Sequence, residues 1–195
     1  GTNGGATTSI TGGVTPYTYL WSGSPTFTTQ NVSTGFNVGI KNITVTDAAG
    51  CVGTASVDIT QPTQLVSAIG SFTNVICFGQ TNGGASMLVN GGTTGYTYTW
   101  TPGGQTSSIM TGVGANTYTC SVTDAKGCAT SQQVTISQPS ALVIAASSFT
   151  NVSCFGGNNG QISVTVQGGT PSYNYTWTPT QPQAPFISGL TAGNY

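Results

Sequence analysis

The groups in this sequence that could do chemistry are few. They are three carboxylates, Asp47, Asp58 and Asp124, two ammonium groups, Lys41 and Lys126, and five thiols, Cys51, Cys77, Cys120, Cys128 and Cys154. There is no His, Arg or Glu. Acid-base catalysis needs a group that exchanges protons near neutral pH, and a Ser or Cys nucleophile needs a base to activate it. Asp47 and Asp124 occupy the same place in a repeated turn, whereas Asp58 falls where the following copy has Thr135. Carboxylates that change identity between copies make a poor catalytic pair, so the chain is expected not to be an enzyme. Without His or a Cys-x-x-Cys pair, zinc has no ligand set.

Calcium is the alternative to weigh for the repeated turn. One Asp per turn falls short of the six to eight oxygens the ion takes, although backbone carbonyls could add some. Turn chemistry is the preferred reading: Asp47 and Asp124 accept a backbone hydrogen bond, and Gly50 and Gly127 supply positive φ. No cofactor is expected.

The aromatic residues form a pattern of their own. Tyr17, Tyr19 and Trp21 return as Tyr96, Tyr98 and Trp100, and again as Tyr173, Tyr175 and Trp177, each row preceded by a Gly-Gly pair. Alternate residues of a strand share one face, so each row projects from one side of a single strand. Such a row either fills the core between two sheets or stands exposed as a platform for sugar rings. A repeat of this size buries only about 60–65% of its unfolded surface and can hardly spare its largest side chains, so the core reading is preferred.

Cys51 and Cys128 share one repeat position and Cys77 and Cys154 another, while Cys120 stands alone. Two Cys per small β-unit suggest a disulfide and an oxidising location. Cys77 with Cys128 is the preferred pair. If the loop holding Cys77 and the turn before Cys128 lie at opposite ends of a sandwich, the partner belongs to a neighbouring unit instead. Cys120 replaces an apolar strand residue and is read as a buried free thiol.

The elements that must position these groups follow from periodicity. Thr46 to Cys51 returns as Thr123 to Cys128, Gln61-Pro62 as Gln138-Pro139, and Asn74 to Gly79 as Asn151 to Gly156, all 77 residues on. A fixed period identifies a repeat architecture. One repeat is whole, 63–139, and two are partial: 1–62 lacks its first strands and 140–195 its last. The loop after Trp21 is two residues longer than its counterpart after Trp100. Within the whole repeat, polar and apolar residues alternate over 65–72, 85–89, 96–100, 118–122 and 129–136, the signal of half-buried strands. Five to seven antiparallel strands with turns every eight to twelve residues read as an all-β, immunoglobulin-like sandwich.

Composition closes off other classes. Charged residues are 3% of the chain, with a net charge of −1. Two Lys give no means of gripping nucleic acid or an anionic bilayer, and no apolar run is long enough to insert in a membrane as a helix. Regularly spaced Val, Ile, Tyr and Trp, with little net charge, argue against disorder.

The ordered set Cys-Phe-Gly, Gly-Gly with Tyr-x-Tyr-x-Trp, Thr-Asp-Ala-x-Gly-Cys and Ile-x-Gln-Pro resembles the SprB repeat of very large surface proteins in gliding Bacteroidota. The resemblance implies export by the type IX secretion system, display on the outer bacterial surface as a filament, and a part in gliding motility and attachment. Its partners would be neighbouring repeats, the secretion and gliding machinery, and an extracellular surface or polysaccharide. The alternative function is a set of polysaccharide-binding modules in a secreted protein with no part in gliding.

Overall fold

The computed structural model describes residues 1–23 and 26–195. The lengthened loop after Trp21 includes Ser24 and Pro25, which lie outside the described residues. The chain divides into two compact units, Gly1–Thr63 and Gln64–Tyr195. Among the described residues every regular element is a strand.

The second unit contains a complete sandwich of six strands. In chain order these are β6 (Val66–Thr73), β7 (Gly83–Asn90), β8 (Thr97–Thr101), β9 (Ile109–Val113), β10 (Asn116–Thr123) and β11 (Ala129–Ile136). They form two antiparallel three-stranded sheets, β6-β7-β9 and β8-β10-β11. This is the immunoglobulin partition of A, B and E against C, F and G, with the D strand absent.

The reason these residues fold this way is visible strand by strand. Along β10, Tyr118, Cys120 and Val122 are buried while Thr119 and Ser121 between them are less so, the period of two that a sheet with one covered face requires. Along β7, Ala85 and Met87 point into the core and Val89 packs at its margin. The core joins both sheets through Val75, Ala85, Met87, Trp100, Met110, Val113, Tyr118, Cys120, Val122, Val134 and Ile136.

Strand β9 is the one element that alternation does not reveal. Its sequence is Ile-Met-Thr-Gly-Val, Gly112 has φ near 70°, and the ladder to β7 shifts register between Gly83 and Gly84. A bulge breaks the period of two, so Met110 and Val113, three apart, both reach the core.

The remainder of the second unit is a single antiparallel sheet of β12 (Val143–Thr150), β13 (Gly160–Gln167) and β14 (Phe186–Leu190). These are the counterparts of β6, β7 and β9. The residues corresponding to β8, Tyr173 to Trp177, form no ladder here, because the chain ends three residues into the counterpart of β10.

The first unit pairs β1 (Gly4–Ala6) with β3 (Val32–Phe36), and β2 (Thr18–Trp21), β4 (Gly39–Thr46) and β5 (Val52–Ile59) form its second sheet. Its core is Trp21, Val32, Phe36 and Ile43. Phe36 is met by Trp21 at 5.3 Å and edge-on by Phe27 at 5.2 Å between ring centroids, favourable tilted geometries.

Candidate functional site

Each aromatic row belongs to the scaffold. Trp100 has no exposed surface, stands opposite Cys120 in the ladder, and donates its indole N–H to the Ser107 carbonyl at 3.0 Å. Trp21 does the same toward Thr29 at 3.0 Å, and Trp177 toward Ala184 at 2.9 Å. The first tyrosine of each row closes the Gly-Gly loop before it: Tyr17 donates to Gly12, Tyr96 to Gly91 and Tyr173 to Gly168, at 2.7, 2.6 and 2.5 Å. Tyr19 and Tyr98 are half-buried against their cores, and Tyr175 is half-buried in the last repeat. The spacing Gly-Gly-x₃-Tyr therefore encodes a side-chain lock on a turn.

A second tyrosine role escaped the sequence reading. At the corner between β9 and β10, Tyr118 donates its hydroxyl to the Gly114 carbonyl at 3.1 Å, and Tyr195 repeats this with Thr191 at 3.2 Å. This is the tyrosine corner of immunoglobulin-like sandwiches, with Cys120 two residues on, where antibody domains carry the second cysteine of their inter-sheet disulfide. No cysteine occupies β7 opposite it, and Cys120 is a buried free thiol. In the first unit Lys41 takes the corner position. It is 6% exposed and donates Nζ to Asn37 Oδ1 at 2.6 Å, also four residues upstream. The recurrence of Tyr118 as Tyr195, with Lys41 in the first copy, was the available signal.

The repeated turn is a carboxylate closed around N–H donors. Asp124 Oδ1 accepts from Lys126 at 2.9 Å and Cys128 at 2.8 Å, and Oδ2 from Thr93 at 2.8 Å. Asp47 matches it with Ala49, Cys51 and Val14 at 2.9, 2.8 and 3.0 Å. Gly50 and Gly127, at φ near 86° and 82°, make the turn that returns each N–H to the Asp carbonyl. Hydrogen bonds led by that from Thr93 hold the Asp124 carboxyl below the usual range, against the opposing effect of burial. Those from Val14 and Cys51 do the same for Asp47. Both oxygens thus face donors, the arrangement of a structural anion that ties the β10–β11 turn to the Gly-Gly loop.

Cys77 and Cys128 are not brought together, which corrects the pairing preferred from sequence. Cys128 immediately precedes β11. The loop of Cys77 is fastened beyond the far end of that strand: Val75 donates to the Ser137 carbonyl at 2.9 Å, Ser137 to Asn74 Oδ1 at 2.9 Å, and Gly79 to Gln138 Oε1 at 2.8 Å. Eight residues of strand at about 3.3 Å each separate the two sites by roughly 25 Å. A disulfide needs Cα atoms within about 7 Å. Cys51, Cys77, Cys128 and Cys154 are exposed free thiols, and burial pushes the Cys120 thiol upward in pKa.

A concavity of about 750 Å³ lies over the inner face of β12-β13-β14. Its walls include Val152, Ile162, Val164, Trp177 and Leu190, whose counterparts Val75, Ala85, Met87, Trp100 and Val113 are all buried in the complete repeat. The groove is the open half of a sandwich core. Among the described residues no three of His, Cys, Asp and Glu gather in one place.

The SprB repeat family model matches residues 69–105 and 146–182, segments offset by the same 77 residues. Two segments of the chain match the SprB repeat. Each matched stretch runs from the first strand of a repeat through its Cys-Phe-Gly loop and Gly-Gly pair to just past the Trp, the part that builds one sheet and hands the chain to the other. The match supports a repeat segment of an adhesin-like surface protein. A search of curated proteins found no match.

Proposed function

We propose that this chain is a stretch of the filament of a very large bacterial cell-surface adhesin, exported by type IX secretion and serving gliding motility and attachment as a non-catalytic stalk. The observation that carries the reading is the path of the chain through the complete repeat. It comes in beside the Asp124 turn, where Leu65 lies against Gly92, and goes out beyond Ile136 at the opposite end. A unit whose termini lie at opposite ends adds length with every copy, about 25 Å of strand plus its loops.

The same path suits traction. Strands β6 and β11 run side by side in the same direction, with Ser67 Oγ 3.2 Å from Thr130 Oγ1 and Gln132 Nε2 donating to the Ser67 carbonyl at 2.9 Å. Tension between the termini loads the β6-β7 and β10-β11 ladders in shear, so many hydrogen bonds resist together. Burial of Trp21 and Trp100 in their cores supports a stalk over a sugar-stacking module.

Antibodies raised against this chain test the assignment on intact gliding cells. Surface labelling that moves along the cell, and disappears when type IX secretion is disabled, is the expected result. Labelling only after permeabilisation overturns it.

A further inference from the structure

The two cysteine positions that fail to meet within a repeat are placed to meet across the joint between consecutive repeats. We propose that the Cys77 position of one repeat forms a disulfide with the Cys128 position of the repeat that follows, giving a covalent staple at every joint.

The joint contains little free chain. Gln138 is held by the repeat it leaves, through the Gly79 N–H on its Oε1 at 2.8 Å. Ser140 is held by the repeat it begins, its carbonyl accepting from Gly169 at 2.8 Å. Pro139 alone lies between, so the Cα atoms of the two anchored residues are at most about 7 Å apart. Proline also restricts its own φ and the residue before it.

On one side of this joint stands the Cys77 loop. Gly79 is two residues from Cys77, the Gln80 N–H closes on the Cys77 carbonyl at 3.2 Å, and Asn82 Oδ1 accepts from Ile76 at 3.1 Å. Asn159 braces Ser153 beside Cys154 in the same manner at 3.0 Å, so the loop is a rigid, repeated device. On the other side stands the Gly168-Gly169 loop. In the complete repeat the corresponding loop is bonded to the Asp turn twice, Thr93 N–H to Asp124 Oδ2 at 2.8 Å and Ala125 N–H to the Thr93 carbonyl at 3.2 Å. The Cys128 N–H lies on the other oxygen of that same carboxylate. A following repeat completed on this pattern carries its thiol one carboxylate away from the loop that grips Ser140. Both thiols are exposed, and neither has a partner within its own repeat.

The chemistry balances as an ordinary exchange. The two thiols lose two protons and two electrons and form one S–S bond. A disulfide oxidant, protein or small molecule, is cleaved to two thiols. In the cell this rests on the extracellular reading above, since the cytosol would keep both thiols reduced. The test in solution does not.

The full chain is extended past Tyr195 by a second copy of residues 119–139, which completes the last repeat, and is equilibrated with oxidised and reduced glutathione. Peptide mapping without reduction is expected to recover Cys77 joined to the appended copy of Cys128 as the dominant link. Cys77→Ser, at an exposed position, is expected to return that appended thiol to alkylation without changing the circular dichroism spectrum. The unextended chain under the same buffer is expected to yield no Cys77–Cys128 bridge. A Cys77–Cys128 bridge in either chain, Cys77 linked elsewhere, or both thiols still free in the extended chain overturns the proposal. A failure of surface labelling with this link intact would instead count against localisation alone.

Discussion

Replacing Trp100 with Ala separates a core residue from a ligand platform. The indole is fully buried, sits between the sheets opposite Cys120, and donates to Ser107. Truncating such a side chain costs about 3–5 kcal/mol, from lost transfer free energy and the cavity left behind. At about 0.05–0.15 kcal/mol per residue a 77-residue repeat has about 4–12 kcal/mol in total, so Trp100→Ala removes about a quarter of it or more. For a domain this size that lowers the melting temperature by upwards of about 12 °C. Trp177→Ala is the matched control: its ring is half-buried over a sheet with no opposing sheet in this chain, and the expected cost is below about 1 kcal/mol. Urea unfolding followed by far-ultraviolet circular dichroism reads both, with polysaccharide binding measured on the same samples. If Trp100→Ala left the midpoint in place and abolished glycan binding, the aromatic rows would be a recognition surface and the core argument refuted.

Two further outcomes follow from the turn and the corner. Because the folded carboxyls of Asp47 and Asp124 lie below their unfolded value of about 3.9, the stability they contribute is present above that value and lost as pH falls through the folded one. The melting temperature is therefore expected to stay level from about pH 8 to 5 and to fall below about pH 4, and the double variant Asp47→Asn, Asp124→Asn is expected to flatten that fall in a calorimetric pH series. Tyr118→Phe keeps the buried ring but strands the Gly114 carbonyl, so chemical denaturation is expected to show a loss of about 0.5–1.5 kcal/mol.

Much of the fold was legible in the residues because its determinants are local. Alternation located β6, β7, β8, β10 and β11, and failed at β9, where the bulge at Gly112 breaks the period. The Asp-x-x-Gly turn was readable from residue chemistry, but the reach of its carboxylate to Thr93 and Val14 was not, since those bonds span 31 and 33 residues. Likewise Tyr118 read as one more apolar strand residue, and only the corner geometry shows its hydroxyl at work, or explains why Lys41 with Asn37 can stand in its place.

Residue type and spacing within one element or one copy were enough for the period, for every strand of the whole repeat but β9, for the burial of Trp21 and Trp100, and for the resemblance to SprB repeats. The placement of the cysteines, by contrast, depends on long-range packing. Cys77 and Cys128 are 51 residues apart in sequence, and nothing in that number distinguishes a bridge from two opposite ends. The β11 strand does so, since an extended backbone of eight residues cannot shorten, and it holds the two thiols a whole sandwich length apart.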